Sequence, residues 1–224
     1  MRHERARRAV RARDKNEAQQ GDTMASSIDF YFDFSSPYGY FAAMRIEELA
    51  QRHGRTVNWH PVLLGAIFPM TGARPLTQIP MRAEYSWLDF ERTARLAGIP
   101  YNRPPKFPIA TQAPARAMLW TREHGGEAKM LQLVKALYHA FFADGIDISN
   151  PQEVVRIAEG LQIDPAALTA GMGSQEIKDR LRADNDAAIA RGVFGSPFMF
   201  IDDEPFWGFD RFAQIEAKLG NGNN

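Results

Sequence analysis

Residues 28–34 alternate, with Ile28, Phe30, Phe32 and Phe34 set against Asp29, Tyr31 and Asp33, and this period of two predicts a β-strand. Ser36 then stands where a helix N-cap belongs, with Pro37 at the first helical position. That helix is expected to run to about His53, to bury Phe41, Met44 and Leu49, and to stop at Gly54. Thr56 to Pro61 reads as a second strand, which completes a β-α-β unit.

The pattern then changes. Residues 63–80 carry several Gly and Pro and are expected to form a loop over the strand ends. Helical segments follow at about 81–97, 114–124 and 127–143. Asn150-Pro151 and Asp164-Pro165 each pair an N-cap with a helix-opening proline, and Glu153 offers a capping-box partner to the first. Ser174 is expected to cap a last long helix ending at Arg191-Gly192. Strand character returns at Phe198-Met199-Phe200-Ile201, and a turn at residues 202–205 leads to Phe206-Trp207. Asp210 is expected to open a final helix. A β-α-β half, a helical block and a β-β-α half read as an α/β chain: a thioredoxin-like fold with a large all-helical insertion. Residues 26–62 and 193–220 are assigned to the thioredoxin-like domain, and 63–192 to a linker loop and the insertion. Gly171-Met172-Gly173 follows no strand and lacks a third glycine, so it is no dinucleotide fingerprint.

The 224 residues suffice for one well-buried domain or one domain with a large insertion, and 45% hydrophobic with 24% charged residues is ordinary for a globular protein. Net charge is zero, so no global field favours nucleic acid or an anionic membrane. No apolar run approaches the roughly 20 residues that span a bilayer. The first 23 residues differ, with seven cations against Glu4, Asp14, Glu17 and Asp22 and no apolar h-region, so they form no secretory signal. Residues 1–25 are expected to be a disordered basic tail or an over-long start with Met24 as the initiator; a nucleic-acid-gripping arm is the lesser reading. The five histidines show no metal-ligand spacing and none is assigned a catalytic role. Cysteine is absent altogether, which excludes disulfides, thiolate metal sites and dithiol cycling by this chain alone.

That absence bears on four places. Ser36 reads on local sequence as a helix cap. At the strand-to-helix corner of a thioredoxin-like unit, where such folds present a reactive sulfur, the same serine and the open N–H groups of the helix end suit a bound anion. Holding a thiol ionised about two pH units below its ordinary range takes about 2.7 kcal/mol, the size of effect that a hydroxyl and a helix end together supply. Pro197 after Ser196 reads either as a strand-edge device or as a cis bond that offers the Ser196 backbone to an extended peptide. Asp210 reads as an N-cap or as a carboxylate for a charged γ-glutamyl end. Arg82, Tyr85 and Asp89 share one helix face, either a solvated one or one from which a cation reaches across a cleft toward a carboxylate.

Four segments in this order resemble the 2-hydroxychromene-2-carboxylate isomerases and kappa-class glutathione transferases, relatives of the DsbA thioredoxin-like proteins. They are Tyr31-Phe32-Asp33-Phe34-Ser35-Ser36-Pro37-Tyr38, the stretch from Gly65 to Arg82, Gly192-Val193-Phe194-Gly195-Ser196-Pro197, and Phe206-Trp207-Gly208-Phe209-Asp210-Arg211. The resemblance implies that glutathione is the cofactor, with Ser36 as the catalytic residue that activates its sulfur beside Pro37. It places Ser196 and Pro197 on the cysteine backbone, Phe209 and Asp210 on the γ-glutamyl group, and Arg82 on the glycine carboxylate. Two positions depart: Ala73 stands where kappa-class enzymes carry asparagine, and Ser196 replaces an apolar residue. The Trp207-Gly208 pair and the Ser36-Pro37 corner look more like the bacterial isomerases. The implied reaction converts 2-hydroxychromene-2-carboxylate to trans-o-hydroxybenzylidenepyruvate by reversible addition of the glutathione thiolate, bond rotation and elimination. A cytoplasmic homodimer acting on a small aromatic molecule, with no nucleic-acid or membrane partner, is expected. A glutathione transferase that releases the adduct and a non-catalytic peptide-binding module are the rival readings.

Overall fold

In the computed structural model, which describes residues 27–221, β1 (Ser27–Phe32) is the inner strand from which the rest is built. It pairs in parallel with β2 (Thr56–Pro61) and antiparallel with β3 (Phe198–Ile201), and β3 pairs antiparallel with β4 (Glu204–Trp207). The sheet order is β2-β1-β3-β4. Both faces of β1 are covered. Ile28, Phe30 and Phe32 enter the main core, while Tyr31 joins a second cluster with Val62, Ile67, Val193, Phe198 and Phe200. A strand buried on both faces needs apolar residues on both, which is why an aromatic stands among the residues that alternate with Ile28, Phe30 and Phe32. The expected basic tail at 1–25 lies outside the described residues.

Ser36 caps α1 (Pro37–Ala43) through its side chain, as the Ser-Pro pair predicts. The expected single helix to His53 is instead two. Arg45, at φ −125°, leaves helical geometry before α2 (Ile46–Arg52), and its guanidinium donates to the Ala97 carbonyl. Turning there lets α1 face the cavity described below while α2 packs on β2. Residues 63–80 also depart from expectation, because Leu64–Thr71 form α3 and Leu76–Gln78 a 3-10 turn.

The helical block comprises α4 (Arg82–Ala97), α5 (Gln112–Phe142), α6 (Pro151–Glu159), α7 (Pro165–Gly173) and α8 (Gln175–Ala190). The two helices expected at 114–143 run together as α5, bent at Gly126 where φ 78° and ψ 174° are non-helical. Asn150, Asp164 and Ser174 cap their helices as expected, but the Glu153 carboxylate pairs with Arg156 and closes no capping box. α5 ties the block to the sheet. Tyr138 is fully buried against Phe32, Phe34 and Tyr40, and its hydroxyl donates to the Asp33 carbonyl at 2.9 Å. Asp210 does not open the final helix: a 3-10 turn (Phe209–Arg211) precedes α9 (Phe212–Asn221). Among the described residues no helix is long and apolar enough to cross a membrane.

Candidate active site

The end of β1, the start of α1 and the Gly195-Ser196-Pro197 loop meet at one wall of a cavity of about 1440 Å³. The loop is held to the corner by two hydrogen bonds. The Ser36 hydroxyl donates to the Ser196 carbonyl at 2.9 Å, and the Asp33 N–H donates to the Ser196 hydroxyl at 2.9 Å. Ser36 Oγ also accepts from Gly39 N at 3.0 Å, so its single proton is committed to Ser196. The Ser196–Pro197 bond is cis, as is Phe107–Pro108, which the sequence reading did not anticipate. Contact between α1 and the loop is close enough to require glycine at position 39, where a Cβ would lie 2.7 Å from Ser196 Oγ and 3.0 Å from the Tyr138 hydroxyl.

All seven expected site residues, Ser36, Pro37, Arg82, Ser196, Pro197, Phe209 and Asp210, line this one cavity. Arg82 has no ion-pair partner among the described residues. Asp210 pairs with its neighbour Arg211 at 3.0 Å, and its carboxylate folds back over Gly208, where a Cβ would come within 2.4 Å of Asp210 Oδ1. The expected face of α4 divides. Arg82 and Asp89 line the cavity, whereas Tyr85 is exposed outside it. Asp89 takes a hydrogen bond from the Tyr38 hydroxyl. Burial first, and then Asp89, push that phenol far above its ordinary pKa, so Tyr38 remains a neutral donor. Ala73, at the position of the missing asparagine, also lines the cavity.

The residue that the sequence reading passed over is Asp33. Set opposite the phenylalanines in the strand alternation and given no role there, it is only 3% exposed and lines the cavity beneath Ser36. Its carboxylate accepts from Ser35 N and from Leu64 N, both at 2.7 Å, and from the Thr111 hydroxyl. Leu63 cannot cap α3 with its own side chain, so Asp33 does so from 31 residues away. Burial raises its pKa to about 6 against the pull of those three hydrogen bonds. The available signal was Tyr31: an aromatic two residues back on the same alternation marks that face as covered.

The profile of the DSBA-like thioredoxin domain matches residues 27–220. A 2-hydroxychromene-2-carboxylate isomerase from Sphingobium xenophagum is 32% identical over 198 residues, 88% of this chain and 99% of that protein. The chain belongs to the 2-hydroxychromene-2-carboxylate isomerase family of DSBA-like thioredoxin-fold proteins. A solved structure of a 2-hydroxychromene-2-carboxylate isomerase superposes with a TM-score of 0.78 at 30% identity, covering 87% of this chain and 94% of that one. The likeness extends at 26% identity to a kappa glutathione S-transferase 1 from Caenorhabditis elegans, over 86% of this chain and 90% of that protein. This membership agrees with the resemblance carried by the four sequence segments.

Proposed function

We propose that this chain is a glutathione-dependent isomerase of the 2-hydroxychromene-2-carboxylate type, working in the cytoplasm as a homodimer. The observation that carries the reading is the Ser36–Ser196 hydrogen bond, which sets a hydroxyl and an extended backbone side by side on a large cavity in a chain without a thiol. The site fits the tripeptide in its donor set. Ser196 offers backbone to an extended peptide, Arg82 offers a cation with no ion-pair partner among the described residues to a carboxylate, and Phe209 and Asp210 offer backbone and carboxylate to a γ-glutamyl end. Bound glutathione supplies a thiolate that adds to a conjugated carbon and leaves again, which permits rotation about the former double bond.

The residues themselves do three things. When the Ser196 carbonyl turns to a peptide N–H, it releases the Ser36 hydroxyl to donate to sulfur, so docking and sulfur stabilisation are one exchange of partners. A hydrogen bond to a charged acceptor is worth about 1.5–3 kcal/mol, enough to favour the ionised sulfur over the thiol. Ser36 thus orients and stabilises without attacking. Tyr138 and Asp33, meanwhile, fix the corner so that the exchange takes place on a rigid frame.

The test is mass analysis of the products made from 2-hydroxychromene-2-carboxylate with and without glutathione. An isomerase gives the trans product only when glutathione is present and leaves glutathione unconsumed. Accumulation of a glutathione adduct replaces this reading with the transferase one, which the kappa-class likeness favours. Binding without turnover makes the chain a peptide-binding module.

A further inference from the structure

Two large aromatic rings stand open beside the candidate sulfur seat. Trp207 is 55% exposed and Phe194 is 42% exposed, yet both line the same cavity as Ser36. Singly exposed aromatics need no explanation, but these two are a built pair. Their ring centroids lie 4.9 Å apart at 69°, and Phe194 meets Phe198 edge-on at 5.1 Å. The β4 pleat explains which way the indole faces: Phe206 turns inward, 8% exposed, so Trp207 turns out. Gly195 explains how close it lies. A Cβ there would come within 2.2 Å of the indole Nε1 and 3.0 Å of Cδ1, so the Nε1 end of the ring fills the space a side chain at 195 would take. With Trp207 55% exposed, the rest of the indole stands open to the cavity.

The location is as informative as the shape. Gly195 directly precedes Ser196, and Trp207 lies two residues before Phe209, so the rings flank the backbone positions assigned to glutathione. The cavity, at about 1440 Å³, exceeds the roughly 300–1,000 Å³ usual for one small ligand, which leaves room beside a tripeptide. A ring held by edge-on contact with its neighbour loses little freedom when a flat partner joins it, so the platform is organised before anything binds.

We propose that the open part of the Trp207 indole, with Phe194 angled beside it, is the seat for the flat conjugated ring of the electrophilic substrate. The proposal rests on the isomerase reading and assigns that reading's second ligand a place. It makes Trp207 a substrate-binding residue set against the sulfur and gives Gly195 the job of leaving room for the indole.

Calorimetric titration with trans-cinnamate, a flat conjugated aromatic acid, tests the seat without turnover. The titrations use the wild-type chain, Trp207→Phe and Trp207→Leu, each with a parallel glutathione titration. The leucine variant should weaken cinnamate binding about tenfold, and phenylalanine should restore it to within about threefold of wild type, because stacking needs a ring and leucine has none. Glutathione affinity should stay level in all three. Cinnamate affinity unchanged in Trp207→Leu, no cinnamate binding to the wild type, or a parallel loss of glutathione affinity would each overturn the seat. Failure of the isomerase reading shows separately, as a wild-type chain that makes no trans product with glutathione supplied.

Discussion

At the scale of single residues the site turns on two side chains with different tasks. Ser36 spends its one proton on Ser196 and must exchange that partner for sulfur, so removing the hydroxyl touches the chemistry more than the binding. Ser36→Ala should lower kcat/KM by about 10- to 100-fold, the worth of one hydrogen bond to a charged group, while the glutathione Kd moves less than about threefold. Steady-state kinetics with parallel calorimetry checks this, and wild-type turnover at neutral pH removes Ser36 from the mechanism. Asp33 acts through ionisation. Its pKa rises from 3.8 to about 6 on folding, so between those values the native chain binds more protons than the unfolded one. The stability due to the protonated carboxyl is therefore full below about pH 4 and is lost as pH rises through 6, a loss of about 3 kcal/mol by neutrality. Asn at this position cannot ionise. The stability difference between wild type and Asp33→Asn, followed by denaturant melts from pH 4 to 7.5, should tilt against wild type between about pH 4 and 6 and level off above that. A flat difference would show that Asp33 does not titrate in that window.

At the scale of elements, the decisive contact is α1 against the Ser196 loop, and Gly39 sets its distance. Gly39→Ala places a methyl 2.7 Å from Ser196 Oγ and 3.0 Å from the Tyr138 hydroxyl, neither of which can retreat without breaking a bond to Asp33. It should cost about 1–3 kcal/mol of stability and weaken glutathione binding as well, read by melts and by titration. Contacts of this kind also mark where sequence stops being legible. The starts of α6, α7 and α8 could be read because Asn150, Asp164 and Ser174 cap from within their own turns. α3 could not, because its cap is Asp33, and Gly65, Pro69 and Gly72 alone suggest a loop. The break between α1 and α2 was hidden for the same reason, since Arg45 finds its partner at Ala97. Ser36, Ser196-Pro197 and Asp210 were legible as local chemistry. That Ser36 gives its proton to Ser196, 160 residues away, could be learned only from the folded chain.

At the scale of the whole molecule, the face of α4 opposite buried Ser86, Phe90 and Ala94 is exposed. Tyr85, Leu88 and Leu96 stand on it with exposed Arg92 among them, and exposed Met81 comes just before the helix. Arg82 and Asp89, which line the cavity, stand beside this stripe, so α4 carries the site's edge and an outward stripe side by side. Exposed Tyr85, Leu88 and Leu96 on a chain with zero net charge invite a partner, and a second copy offers the same stripe through a two-fold axis. Light scattering on the eluting protein should therefore give twice the chain mass. The double variant Leu88→Glu, Leu96→Glu should elute as a monomer, because each two-fold-related pair of charges would meet its like in the interface. Glutathione affinity should survive this change, since neither leucine lines the cavity. A double variant that remains dimeric would move the interface off α4, and a wild type that elutes at the chain mass would remove the dimer altogether.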